Sequence, residues 1–174
     1  MSVTGDYVGS AALYDPQKRQ WDLAGQMGTA RLDATATLLT DGKVLIAGGA
    51  NENEFNPLSS IELCDPTQDK WSYVSSMAAK RRGPTATLLK DGKVLVVGGF
   101  GSQDTLSSAE LYDVEADQWL SAGAMATSRQ MATATLLKDG RVFVAGGNAG
   151  AALSSAEIYE PASYTDGGTA DAGQ

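Results

Sequence analysis

One fifteen-residue stretch occurs three times in this chain with little change. Residues 35–49 (TATLLTDGKVLIAGG) return as 85–99 (TATLLKDGKVLVVGG) and as 133–147 (TATLLKDGRVFVAGG), with starts 50 and 48 residues apart. A repeat period of this size signals a solenoid, a propeller or an array, in which each unit buries its apolar faces against its neighbours. Residues that recur in register then hold the units together, and specificity belongs where the units differ.

Within each unit, Thr-Ala-Thr-Leu-Leu reads as a short strand and the Asp-Gly at 41–42, 91–92 and 139–140 as a hairpin turn. Asp-Gly favours positive φ angles, so a tight type I′ turn is expected. The next run (Val44 to Ala47, Val94 to Val97, Val142 to Ala145) is continuously apolar, as suits a strand covered on both faces. A Gly pair ends it each time, permitting close backbone approach. A third strand follows a variable loop and alternates apolar with polar residues: Ser59 to Asp65, Ser107 to Asp113, Ser154 to Glu160. Then come a turn and, at 21, 71 and 119, a tryptophan, each seven residues after Tyr14, Cys64 or Tyr112.

Four short antiparallel strands in about 50 residues describe a propeller blade. Four apolar residues, a Gly-Gly pair and a spaced Tyr and Trp resemble the kelch motif in its bacterial form, over roughly Gly9 to Pro161. The expected fold is all-β: kelch-like blades of four antiparallel strands, about three repeats, a partial or half propeller. The repeat segment is 1–161, with blade units 9–30 (partial), 34–79, 84–127 and 132–161 (partial), and 162–174 reads as a flexible acidic tail or linker. Cys64 stands where the other units have Tyr14, Tyr112 and Tyr159 and is read as a small buried filler.

The resemblance implies six or seven blades in a ring, more than this chain supplies. Either the chain is part of a longer protein, or two copies join into a six-bladed ring, or the chain's own ends pair as four blades; the dimer is the reading adopted. An engineered half-propeller built from near-identical repeats is a further alternative. The resemblance also implies non-enzymatic recognition of a protein or ligand. A carbohydrate-active enzyme with a channel site is the rival.

The chain has no histidine, which removes the commonest general base and metal ligand at neutral pH. Copper radical oxidases that resemble this family rely on histidine ligands and a Tyr–Cys cross-link, so that chemistry is not expected. No catalytic, metal or cofactor site is expected. Asn51 to Glu54 lack the spacing of a calcium loop, and Gly98 to Gly101 open no helix that would cradle phosphate. A net charge of −8 argues against nucleic-acid and anionic-membrane partners. The N-terminus lacks a signal-peptide pattern and no apolar run reaches membrane-span length, so a soluble chain is expected.

The candidate binding residues sit on the variable loops after the Gly pairs: Asn51, Glu52, Glu54, Phe55, Phe100 and Asn148. Loops on a rigid scaffold are where binding specificity concentrates, and aromatic anchors dominate interface energetics. Arg31, Arg81 and Arg129 precede the innermost strand and are expected to approach a central channel. They read either as ties between blades or, with Lys80 and Arg82, as an anion-attracting ring. Glu62, Glu110 and Glu157 recur on the third strand in a structural role.

Overall fold

A computed structural model describes residues 9–51 and 56–162. The described residues form thirteen strands and no helix: β1 (Ser10–Asp15), β2 (Gln20–Gln26), β3 (Thr35–Leu38), β4 (Val44–Ala47), β5 (Ile61–Asp65), β6 (Lys70–Val74), β7 (Thr85–Leu88), β8 (Val94–Val97), β9 (Ser108–Asp113), β10 (Gln118–Ala124), β11 (Thr133–Leu136), β12 (Val142–Ala145) and β13 (Ala156–Tyr159). They pair as four sheets: β1-β2, β3-β4-β5-β6, β7-β8-β9-β10 and β11-β12-β13. Every pairing is antiparallel. The sheets are two complete four-stranded blades flanked by an outer half and by a blade without its fourth strand, and among the described residues they do not close into a ring. The inner strands β3, β7 and β11 lie side by side around the axis.

The recurring Asp-Gly does make the hairpin, with a different turn. Leu39 N donates to Lys43 O at 2.8 Å and Gly42 N to Leu39 O at 3.1 Å. Only the glycine has positive φ (86°), so Thr40 and Asp41 form the corners of a type I turn and Gly42 is the left-handed bulge after it. A type I′ turn needs positive φ at both central residues. The extra residue before Asp-Gly moves the aspartate out of that position and leaves its carboxylate to accept Lys43 N at 3.0 Å.

Each blade has two apolar faces with different neighbours. Leu45, Ala47 and Ile61 on the front of the first complete blade pack with Val94, Val96 and Tyr112 on the back of the next. Leu95, Val97 and Ala109 then pack with Val142 and Val144. Leu95 is fully buried, whereas Phe143, in the same position on the last blade, is 39% exposed because no further described blade covers it. The third strand corrects the simple alternation read from sequence. Glu62 is as buried as its apolar neighbours, since its side of the strand also faces protein.

The tryptophans lock the outer strands from one blade to the one before. Trp71 Nε1 donates to Ala24 O at 2.9 Å, and Trp119 Nε1 to Ser75 O at 2.8 Å. Trp119 also stacks on Tyr112, with ring centroids 4.9 Å apart. Trp21 has no preceding described blade and is 68% exposed, its ring tilted against that of Tyr14.

The Gly pairs are needed for contact as well as conformation. Gly98 has φ of 65°, and a Cβ there would lie 2.2 Å from Arg129 O. Gly146 has φ of 66°, yet its nearest such neighbour is Leu153 O at 3.8 Å, because no described arginine loop follows the last blade. Gly98→Ala combines backbone strain with a backbone clash and is expected to cost about 3 kcal/mol or more. Gly146→Ala meets only the strain of a positive φ, about 1 kcal/mol. Urea unfolding of the two variants measures the difference; equal losses would mean that the close approach to the arginine loop carries no energy.

Candidate functional site

Arg31, Arg81 and Arg129 lie on the loops that leave the outer strand of one blade for the inner strand of the next. Their guanidiniums turn inward. Arg31 Nη1 donates to Gly48 O at 2.8 Å and Ser60 O at 2.9 Å, while Nη2 meets Glu62 Oε1 at 2.6 Å. Arg81 repeats the set with Gly98 O, Ser108 O and Glu110, and Arg129 with Gly146 O, Ser155 O and Glu157. The planar five-donor fork suits two carbonyls and a carboxylate at once.

The glutamates complete the device. Glu62 accepts Gly28 N at 2.6 Å and Thr29 N at 3.1 Å, from the loop that carries Arg31. Glu110 takes Ala78 N and Ala79 N, and Glu157 takes Ala126 N and Thr127 N. Each joint therefore has one arginine and one glutamate reaching past each other between loop and sheet. Arg81 is 0% exposed; its burial pushes its pKa down and Glu110 pushes it back up. The described geometry places these arginines in ties between blades, with the guanidinium of Arg81 spent on protein acceptors.

Burial alone would raise the Glu157 carboxyl, but hydrogen bonds from Arg129, Ala126 and Thr127 outweigh it and hold its pKa below the ordinary value. Recurrence in register marked both residue types in the sequence. It could not show that they contact each other, because each pair lies about thirty residues apart and the contact depends on the blade joint.

The loops after the Gly pairs share one rim with the arginine loops. Phe100 and Arg82 exchange backbone hydrogen bonds, Phe100 N to Arg82 O at 2.7 Å and Arg82 N to Phe100 O at 2.8 Å. The equivalent Asn148 pairs with Gln130 in the backbone and accepts Gln130 Nε2 at 3.0 Å through its side chain. Asn51 is half-buried, and its buried Oδ1 meets no donor among the described residues. Glu52, Glu54 and Phe55 lie outside the described residues.

Three residues missed in the sequence reading, Asp33, Gly83 and Met131, occupy equivalent left-handed positions at the inner end of this rim, with φ of 51°, 58° and 53°. They hydrogen-bond in series, Gly83 N to Asp33 O at 2.9 Å and Met131 N to Gly83 O at 2.8 Å. Residue type hints at this for Gly83 and for Asp33, since aspartate tolerates a positive φ, and gives no warning for Met131. Arg82 adds a side-chain bond to Asp33 at 2.8 Å.

The opposite rim carries the Asp-Gly turns. Between two of them, a cleft of about 390 Å³ is lined by Asp41, Asp91, Lys93, Asp113 and Glu115 among others. Lys93 Nζ meets Asp113 Oδ2 at 2.6 Å and holds that carboxyl below its usual range. No cluster of metal-ligating side chains occurs among the described residues. Cys64 is buried and its thiol is pushed up by burial and by Asp69 and Asp65, the opposite of a reactive thiolate. Where Tyr112 reaches Asp117 Oδ1 at 2.7 Å, the shorter Cys64 leaves Asp69, at the equivalent turn position, without that donor.

The family model for the Kelch motif matches residues 81–126, from the central arginine through the whole second complete blade. That one blade is a match to the Kelch motif. The first complete blade and the last one repeat its Gly pair and arginine–glutamate tie, while its aromatic pair returns only in the outer half, as Tyr14 and Trp21. No curated protein matches the chain.

Arg81→Ala leaves Glu110 buried without its partner and is expected to cost about 3–5 kcal/mol in urea unfolding. Because the folded pKa of Glu157 is depressed, its contribution is present above the ordinary value near 4.5 and is lost as pH falls through the lower folded value. Glu157→Gln is expected to flatten that acid limb of the stability–pH profile. Cys64→Tyr supplies the hydroxyl that the third-strand tyrosine supplies in the next blade, and thermal melting is expected to report a gain of about 1 kcal/mol; an unchanged or lower midpoint would mean the site does not accept the ring.

Proposed function

We propose that this chain is a non-enzymatic recognition module that holds a protein or small ligand on the rim formed by the loops after the Gly pairs, and that two copies complete a six-bladed ring. One observation carries the reading. The segments that differ most between blades (50–58, 100–106 and 148–153) leave from equivalent backbone bridges, at Ala50, Phe100 and Asn148, on joints that repeat almost unchanged. Variable loops stand on a constant joint, the division of labour expected of a binding module.

The recurring charges favour binding over catalysis, because the arginines and glutamates that could form a reactive pair are engaged with each other and with backbone. Among the described residues no helix is long and apolar enough to cross a membrane.

The test exchanges segment 100–106 for the sequence of 148–153. Each loop returns to its blade through a similar pair of backbone bridges, so the melting temperature is expected to move by only a few degrees. Peptide and glycan arrays probed with parent and variant are expected to give different binding profiles. An unchanged profile would remove this rim as the recognition surface, and new reducing ends on an arrayed glycan would overturn the non-enzymatic reading.

A further inference from the structure

The two internal joints define what a blade face in this chain is built to meet, and the two outermost faces each hold one half of such a joint. On the front of the last blade, Phe143 and Ile158 are exposed. The Gly147 N–H makes no hydrogen bond among the described residues, whereas the equivalent Gly49 and Gly99 N–H groups donate to Arg81 O at 2.8 Å and Arg129 O at 2.9 Å. On the back of the first complete blade, the matching acceptor, Arg31 C=O, has no such donor among the described residues. Beside it an open groove runs between Ala11, Met27, Ile46 and Trp71, over the face that β4 and β8 cover in the later joints.

The outer strands show the same complementarity. Among the described residues β13 has no fourth strand, and a slot remains between it and β10, walled by Ala122, Ala124, Met125, Ile158 and Tyr159. In the complete blades the corresponding place is taken by the tryptophan of the fourth strand, opposite the third-strand aromatic or Cys64 and bonded to a carbonyl of the preceding blade. Trp21 is a fourth-strand tryptophan with its ring largely in solvent. It is held by β1, which has no inner neighbour among the described residues, in a two-stranded sheet of the kind that is marginal alone.

We propose that two copies of this chain exchange strands: β13 of one copy takes β2 of the other as its fourth strand, in place of β1, and Trp21 enters the slot between β10 and β13. This rests on the ring reading above and names the surfaces that make it. β11, β12 and β13 of one copy then cover the groove over Ile46 and Trp71 of the other, Gly147 N–H meets Arg31 C=O, and Tyr159 faces Trp21 as Tyr112 faces Trp119. Each exchanged blade is complete. Together with the two complete blades of each chain, the pair has six blades. The interface is a third use of a joint the chain already makes twice, with a buried tryptophan as its anchor. Both copies carry a charge of −8, so added salt favours the exchange.

Light scattering on the full chain, with two sets of variants, tests this. The parent is expected at twice the 18.0 kDa chain mass. Trp21→Ala removes a side chain that is exposed in the single chain, so its circular dichroism is expected to be unchanged while its dimer dissociates at least tenfold more readily. In a Cys64→Ala background, Asp22→Cys with Ile158→Cys is expected to form a disulfide between chains, because Leu63 faces Ser72 and Leu111 faces Leu120 at this register position. Leu13→Cys with Asp22→Cys, which face each other within one chain, is expected to close poorly. A parent that stays at 18.0 kDa overturns both the ring and the exchange. A dimer that gives no cross-link between 22 and 158 and ignores Trp21→Ala leaves the ring standing and overturns the exchange.

Discussion

The joint between consecutive blades is the constraint on which the rest of this structure depends. At its centre an arginine on the connecting loop binds two carbonyls and a glutamate of the following blade, while that glutamate binds the loop's own backbone. Burying two charges is costly, and the arrangement is tolerable because nearly every lone pair and proton in it has a partner. The Gly pair belongs to the same device. The arginine loop can sit down on the sheet only because no Cβ stands between Gly98 and Arg129 O. Apolar burial supplies the bulk of the attraction between blades, and the charged joint fixes their relative orientation.

The sequence was most informative about what recurs. The strand–turn–strand unit, the closing Gly pair and the aromatic positions were all legible, because each reports a local requirement repeated in register. Less legible was anything that depends on the meeting of two units. The pairing of Arg81 with Glu110 is one case, the burial of Glu62 on a strand that reads as half-exposed is another, and the left-handed φ of Asp33 and Met131 a third. The hairpin shows the limit within one unit. Asp-Gly announced a turn correctly, but loop length rather than the dipeptide decided which turn it is. For the loop 50–58, only its ends are described, so Asn51 is placed and the acidic, aromatic tip is not.

Separating scaffold from rim also explains why residue type alone was a poor guide to the candidate site. Arginines near a channel suggest anion binding when read one at a time. Three of them in register, each with a glutamate in register, suggest architecture. Phe100 and Asn148, by contrast, occupy equivalent places with unlike side chains on like backbone bridges. Sameness of backbone under difference of side chain allows a family of rims to be carried on one frame.

The joint joins the front of one blade to the back of the next, so the two surfaces it uses are never the same surface. A head-to-tail contact of this kind has no internal instruction to stop. Its end point is set by the small rotation between neighbouring blades: an angle that divides a full turn yields a closed ring, and one that misses yields a helical filament. In this chain that rotation is set where the loop carrying each arginine meets the next sheet, and a change there would alter the angle between neighbouring blades before it would alter whether they pack.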